Sequence, residues 1–450
     1  MLVEMQGLLT FGTCGIRGIV GETITDEVVE RVFRAVARHL GPFKRVCVAR
    51  DTRPSSPAIE SSLVAGLAAN GLDVMRLGIM PTPGLYLLTR ELGCDLGIMV
   101  TASHNPVDYN GFKFCDRNGM APNLDALERA FYHPGSVQSV FPGQIHDISG
   151  NDVLITWLRE ICPPPLRPLK LVVDCACGPA GRIFPELLTD LGHEVIPVNC
   201  DLDLALCDRD PEPMPSTLEK TVEEMHRVGA DGGICLDGDN DRVVFLDHEG
   251  CLGAHRCNAI MGRIALEQAC GGDVIGSVET GRYVEEAVTL ADGRLWRTKV
   301  GDAHVAREVR DRRAVIGMEE CGHYILPQLG FFSSTLYASM VLLAHRDLNT
   351  IRQELAPLPE LSRAEKRVSC PEASKAKAME SVKHWASRCS GQLTNIDGVR
   401  VDWDDGWLLI RPSGTSPYMK VSGEADSPER LDELIDMGMS LVQVALAASR

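Results

Sequence analysis

Short apolar runs alternate with longer amphipathic stretches along most of the chain. Val28, Val29, Val32, Phe33, Val36 and Leu40 recur at helical spacing, with a start signal at Thr25-Asp26 and a stop at Gly41-Pro42. A strand pattern follows at 45–49, then a small-residue helix over 62–70 that ends at Gly71, then strands at 73–77 and 96–100. The rhythm restarts after the linker-like Ile161-Cys162-Pro163-Pro164-Pro165, with strands at 169–174, 194–198 and 232–236 around helices at 182–191 and 221–228. It restarts again near Gly272, with strands at 274–278, 295–298 and 314–317 around helices at 283–290 and 305–310. This alternation predicts three successive α/β units. The C-terminal stretch reads differently: a lysine-rich helix over about 373–389, short strands near 399–403 and 407–411, and a closing helix opened by Ser427-Pro428-Glu429. A separate α+β domain is expected there.

Composition narrows the class. A chain of 450 residues has room for roughly three domains, and 44% hydrophobic with 24% charged residues is ordinary for a globular protein. The formal net charge of −17 repels phosphate backbones and anionic lipid, so neither a nucleic-acid nor a membrane partner is expected. An anionic small molecule stays compatible, because a local cluster of Arg and Lys outweighs screened, distant charge. The 16 cysteines include no C-x-x-C pair, and Cys47, Cys94, Cys235 and Cys321 lie in or beside apolar runs, which fits small buried thiols in a reducing compartment. Cys175 and Cys177 read as buried strand-end thiols rather than metal ligands. The start MLVEMQGLLTFG lacks a basic n-region, and no run approaches about 18 uncharged apolar residues. A cytoplasmic location is expected.

Three loops carry candidate chemistry. Asp237-Gly238-Asp239-Asn240-Asp241-Arg242 follows an apolar strand and spaces three carboxylates by two, a pattern that converges oxygens on a hard divalent cation while Gly238 lets the backbone bend. An EF-hand is excluded by Arg242 at the sixth loop position and His248 at the twelfth. Open coordination sites suit Mg2+ shared with a phosphate; a solvated acidic turn is the bland alternative. The second loop, Thr101-Ala102-Ser103-His104-Asn105-Pro106, also follows a strand, where α/β sheets place reactive groups, and Lys113 lies within reach. A serine-hydrolase reading of Ser103 and His104 is weak, since there is no G-x-S-x-G elbow and sequence neighbours are not expected to face each other. The third loop, Arg411-Pro412-Ser413-Gly414-Thr415-Ser416-Pro417, has the arginine, hydroxyls and small residues of a phosphate cradle. Arg17 in a glycine-rich stretch and Glu319-Glu320-Cys321-Gly322-His323 are ambiguous alone, and no P-loop occurs.

Taken in order, these segments resemble the α-D-phosphohexomutase superfamily. Phe11-Gly12-Thr13-Cys14-Gly15-Ile16-Arg17-Gly18 resembles its FGTxGIRG, the stretch from Thr101 to Lys113 its phosphoserine loop, Asp237 to Arg242 its DGDxDR metal loop, Gly317 to His323 its sugar-binding loop, and Arg411 to Pro417 its RPSGTEP phosphate loop. The resemblance implies three similar α/β domains plus a C-terminal α+β domain around a central cleft, divided at 1–145, 146–248, 249–362 and 363–450. It implies a phosphoserine at Ser103, and one Mg2+ held by Asp237, Asp239, Asp241 and an oxygen on Ser103. Arg411, Ser413, Gly414 and Thr415 would grip the non-reacting phosphate, Glu319, Cys321 and Arg242 would bind substrate, and Lys113, His323 and Arg17 would serve proton transfer and charge stabilisation. The reaction implied interconverts hexose 6- and 1-phosphates through a 1,6-bisphosphosugar, which also acts as activator, in a monomer or homodimer.

Departures from the pattern bear on the sugar. Cys321 stands where the family usually has serine, a weak donor for a good one, and Ser416 stands where glutamate is usual. Lys299-Val300-Gly301-Asp302 resembles the TxVGD segment of phosphoglucosamine mutases and their archaeal relatives, whereas Tyr109-Asn110-Gly111 resembles the phosphomannomutase/phosphoglucomutase pattern. Glucosamine phosphate is the expected substrate, with mannose or glucose phosphate as the alternative; a Mg-dependent sugar phosphatase and a non-catalytic sugar-phosphate sensor are the readings from other classes.

Overall fold

The helix expected after Thr25 runs Asp26–Leu40: Thr25 accepts the Val28 N–H, Asp26 and Glu27 occupy the first turn, where the helix dipole favours anions, and Gly41 ends it at φ 78°. Its apolar face joins Val46, Val48, Ile98, Val100 and Phe112 in one core. The computed structural model describes residues 11–41, 44–133, 141–413 and 417–447. The first sheet consists of β1 (Gly15–Ile19), β2 (Arg45–Arg50), β3 (Asp73–Ile79), β4 (Leu96–Val100), β5 (Tyr109–Asp116) and β6 (Ile145–Asp147), in the order β1-β5-β4-β2-β3-β6. β4, β2, β3 and β6 are parallel, while β5 is antiparallel to both β4 and β1. Every residue of β4 is buried, as expected for a strand covered on both faces. β1 crosses β5 so closely that a Cβ on Gly111 would stand 2.0 Å from the Ile16 carbonyl oxygen, which restricts that position to glycine.

The second sheet repeats this arrangement with β7 (Lys170–Asp174), β8 (Glu194–Val198), β9 (Gly232–Leu236), β10 (Val243–Asp247) and β11 (Gly250–Cys251), ordered β11-β10-β9-β7-β8. β8, β7 and β9 are parallel and β10 is antiparallel to β9. In both sheets the chemistry-bearing loop therefore turns an antiparallel pair beside a parallel core. The expected helix over 182–191 is instead a 3-10 turn, Pro179–Arg182, followed by the helix Phe184–Asp190. Pro185 has no N–H to give and is tolerated only in the first turn, so the α-helix starts there.

In the third α/β region β12 (Gly272–Ser277) lies between β13 (Gly293–Thr298) and β14 (Ile316–Met318), all parallel. β15 (Tyr324–Ile325) and the helix Thr335–His345 follow. The C-terminal sheet is antiparallel throughout: β16 (Ser362–Ser369), β17 (Gln392–Thr394), β18 (Val399–Trp403), β19 (Gly406–Pro412) and β20 (Tyr418–Ala425), ordered β16-β20-β19-β18-β17. The helices Glu372–Ala386 and Pro428–Ala447 share its core through Val382, Leu431, Leu434 and Val442. Three α/β domains and a C-terminal α+β domain are thus present. The chain forms two compact units, one from the chain up to Cys257 with Cys321–Ile351, the other from Asn258–Glu320 with the chain from Arg352. No described helix is long and apolar enough to cross a membrane.

Candidate active site

Ser103 is fixed by its own loop. Thr101 donates its N–H to the Gly111 carbonyl as β4 ends, and its Oγ1 accepts the Ser103 N–H at 2.8 Å. Ser103 is buried and adopts φ 55°, a left-handed conformation uncommon outside glycine. Its Oγ donates to Asp237 Oδ2 at 3.3 Å and lies 3.3 Å from His104 Nδ1. The expectation that Ser103 and His104 would not face each other is thereby corrected: the left-handed turn brings the two consecutive side chains together.

The acid loop is folded as tightly. Asp241 and Arg242 donate their N–H groups to Asp237 Oδ1 at 2.9 and 3.1 Å. Asn240, at φ 62°, accepts the Ala180 N–H and donates to the Cys175 and Asp237 carbonyls. Ser333 and Thr335 hydroxyls donate to the Asp241 and Asn240 carbonyls at 2.7 and 2.6 Å. Gly238 is needed for a different reason than bending: a Cβ there would lie 2.7 Å from the Ser103 carbonyl oxygen, so its small size lets the two loops touch. It is Asn240 that takes the left-handed turn.

The cations of the first unit meet at these loops. Lys113 Nζ donates to Asp239 Oδ2 at 2.7 Å and to Asp241 Oδ2 at 2.5 Å, and Thr82 Oγ1 also donates to Asp239 Oδ2 at 2.6 Å. His323 Nε2 is 3.3 Å from Asp241 Oδ1, and its Nδ1 is 3.4 Å from Cys321 Sγ. Arg242 pairs with Glu212 at 3.2 Å. Arg17 lies on β1 opposite Gly111. Burial works to lower the Lys113 pKa, but Asp239 and Asp241 outweigh it and hold the ammonium above its usual range. His323 is likewise raised, with Cys321 and Asp241 overcoming burial. His104 is held well below its ordinary value by burial and then by Arg242, Arg17 and Lys113, so it is neutral.

The acidic triad fits a divalent cation. Asp237, Asp239 and Asp241 are buried with carboxylate oxygens within 4.8 Å of one another. Asp239 Oδ1 is buried without a hydrogen-bond partner, which costs free energy unless a ligand accepts its lone pairs. Burial, then Asp241 and Asp239, push Asp237 towards its neutral form, while Lys113 and His323 overcome burial to hold Asp241 ionised. Hard oxygen donors at this spacing match Mg2+ or a similar ion.

The second unit holds the remaining residues. Glu319 Oε1 accepts the Gly301 N–H at 2.7 Å, whereas Glu320 is engaged by Arg363 at 2.8 Å and by Asn258 at 3.2 Å. Arg411 and Lys420 face each other across β19 and β20, and both reach Glu279 Oε1, at 3.3 and 2.9 Å. Ser413 is buried, its N–H donating to the Tyr418 carbonyl and its carbonyl accepting from Lys375 Nζ. Gly414 and Thr415 lie outside the described residues. Sequence reading passed over Arg53, Thr82, Glu279 and Lys420, and quoted Asn240 within the acid loop without a role; Asp51-Thr52-Arg53 directly after a strand was a usable signal for Arg53, and the other three left none.

A three-acid site beside a buried serine hydroxyl and ammonium, on three α/β domains with an α+β domain at the C-terminus, is the arrangement of a phosphohexomutase, an isomerase. The chain belongs to the phosphoglucomutase/phosphomannomutase family: the models of its alpha/beta/alpha domains I, II and III match residues 8–130, 161–250 and 255–358, and that of its C-terminal domain matches 365–439. It is 36% identical over 445 residues to a probable phosphoglucosamine mutase of Methanopyrus kandleri, covering 96% of this chain and 97% of that one. A second relative of the same description, from Methanothermobacter thermautotrophicus, is 35% identical with 93% and 94% covered. A phosphoglucomutase/phosphomannomutase family protein of Burkholderia thailandensis superposes with a TM-score of 0.85 at 28% identity, covering 97% of each chain.

Proposed function

We propose that this protein is a phosphoglucosamine mutase that moves a phosphoryl group between O6 and O1 of glucosamine phosphate by way of phosphorylated Ser103. The observation that carries the reading is the buried contact of Ser103 Oγ with Asp237 beside the Lys113 ammonium. In the first transfer the P–O bond to Ser103 Oγ breaks and a bond to the free sugar hydroxyl forms, Oγ gaining the proton that the hydroxyl loses. The resulting 1,6-bisphosphosugar turns over and returns its other phosphoryl group to Oγ by the reverse exchange; added hexose 1,6-bisphosphate activates by supplying that group. Asp237, Asp239 and Asp241 would hold Mg2+ with a phosphoserine oxygen, and the ion would neutralise charge on the transferring group. Lys113, His323 and Arg17 stabilise that charge and serve the proton transfer. Arg411, Ser413, Gly414 and Thr415 grip the non-reacting phosphate, with Glu319, Cys321 and Arg242 on the substrate.

Glucosamine as the sugar is supported by the descriptions of the relatives. It is also supported by the hydrogen bond from Gly301, in the segment that resembles phosphoglucosamine mutases, to the Glu319 carboxylate. Coupled assays with glucosamine, mannose and glucose 1-phosphates, with Mg2+ and bisphosphate supplied, test it. The highest kcat/KM is expected for glucosamine phosphate; a preference for mannose or glucose phosphate would transfer the reading to phosphomannomutase/phosphoglucomutase. Stoichiometric release of inorganic phosphate would mark a phosphatase instead, and binding without isomerisation a sensor.

A further inference from the structure

Among the described residues, Arg53 hydrogen-bonds to none assigned above to substrate or cation, apart from the backbone of Ser103 itself. It is nevertheless 1% exposed, and its side chain is wholly engaged. Nε donates to Asp51 Oδ2 at 3.0 Å. Nη1 donates to the carbonyls of Pro106 and, at 3.0 Å, Tyr109. Nη2 donates to the carbonyls of Ser103 and Asn105, at 2.8 and 2.7 Å. A guanidinium has five N–H donors in a fixed plane, so the whole fork is used, four-fifths of it on one loop. Asp51 is in turn held by the Ser56 hydroxyl at 2.6 Å and by the Arg53 N–H at 3.0 Å. The planar fork thus measures the distances between residues 103, 105, 106 and 109 in the way a lysine ammonium cannot.

We propose that Arg53 is a positioning residue for phosphoryl transfer, holding Ser103 in its left-handed conformation and drawing the loop's carbonyl oxygens away from the phosphoryl group; the inference rests on the assignment of Ser103 above. Two physical arguments support it. A serine at φ 55° is in a sparsely populated region and persists only where its surroundings over-determine it. Peptide groups are planar and trans, so a carbonyl turned into the guanidinium directs its lone pairs at a cation, and the N–H on the other side of that peptide points the opposite way. Released from Arg53, the same carbonyls are free to rotate towards a phosphoryl group on Oγ, where their negative ends repel it.

The test measures transfer per phosphorylated site, which a loss of folded protein does not change. Purified Arg53→Lys is phosphorylated with hexose 1,6-bisphosphate, its phosphoserine content is read by intact mass, and the phosphoenzyme is mixed with hexose 6-phosphate in a single turnover. The expected result is a transfer rate per phosphorylated chain at least 30-fold (about 2 kcal/mol) below the unmodified sequence. A larger share of the phosphoryl group should leave as inorganic phosphate, with KM within a factor of two. A rate within threefold and an unchanged product split overturn the proposal. Should Arg53→Lys not accumulate folded, Asp51→Asn carries the test: a smaller loss with the same shift towards inorganic phosphate supports it, and an unchanged split overturns it. If Ser103→Ala turns over normally, the function proposed above fails, and this inference with it; an unaffected Arg53→Lys beside an inactive Ser103→Ala removes only the role of Arg53.

Discussion

The surroundings of Ser103 and those of Arg411 treat charge in opposite ways. Near Ser103, Lys113, Asp239, Asp241, Arg53 and Asp51 have side chains no more than 5% exposed, and each is paired at hydrogen-bond distance. Near Arg411 the partners are looser: Arg411 and Lys420 are 17% and 19% exposed and share one oxygen of Glu279. A buried pair that loses one member leaves an uncompensated charge, whereas a partly exposed pair exchanges partners cheaply. The first arrangement suits a reaction centre that must not move, and the second suits a grip that takes up and releases a phosphate, whose oxygens offer shorter charge-assisted bonds than Glu279 does.

The sharpest way to break this contrast is Ser103→Ala, expected to lower kcat by more than about 10³-fold and to abolish the phosphorylated mass species. Asp239→Asn should come next: loss of one oxygen charge from the triad lowers divalent-ion affinity by at least about tenfold, read by metal titration of activity, with part of the rate recovered at high metal. It should also lower Tm, since Lys113 loses one of its two partners. Arg411→Ala should instead raise KM by about 10- to 100-fold, the worth of one hydrogen bond to a charged group of about 1.5–3 kcal/mol. Its Tm should stay within a degree or two, and KM of the unmodified protein should rise with ionic strength. A large drop in the Tm of Arg411→Ala would show that the second region is as rigidly built as the first.

Smaller effects refine the picture. Cys321→Ser places a better donor beside His323 and should lower KM several-fold, about 0.5–1.5 kcal/mol, with kcat little changed; a higher KM together with a lower Tm would show that the thiol is there for packing. Outside both regions, His193 is buried, and its Nδ1 accepts the Leu169 N–H at 3.2 Å. Burial holds its pKa below the unfolded value of about 6.5. Stability from this group is therefore full at pH 7 and is lost as pH falls below about 6.5 towards the folded value. His193→Gln should show a smaller fall of Tm between pH 7 and 5.5 than the unmodified protein.

The strands at 96–100, 194–198 and 232–236 were legible to the residue, because each is a short, largely apolar run with turn residues beside it. The helix Thr82–Glu91 was not: it is buried from Thr82 to Thr89, with Pro83 at its start, so no polar face marks a 3.6-residue period. β1 read as a glycine-rich loop and β5 was not read as a strand, since Gly15 and Gly111 are there to let the two strands cross, a requirement visible only once both are paired. The carboxylates and Ser103 stood out because they sit at strand ends in sequence. Arg53, Thr82 and Ser333 act on those loops from 50 to 157 positions away or through backbone carbonyls, which leave no local spacing to read.

The unit that contains Ser103 and the acid loop is discontinuous in the chain: it needs residues 321–351, and 258–320 intervene. Ser333 and Thr335, whose hydroxyls take up the Asp241 and Asn240 carbonyls, are therefore made well after the loop they support. At a synthesis rate of about 5–20 residues per second, a nascent chain spends several seconds or more with Asp237, Asp239 and Asp241 already out and their support still missing. During biosynthesis the first two domains are then an unfinished assembly rather than an early-folding module. A fragment ending at Cys257 should reproduce this stage, with native-like helix content but faster amide exchange around residues 237–242 than in the full chain.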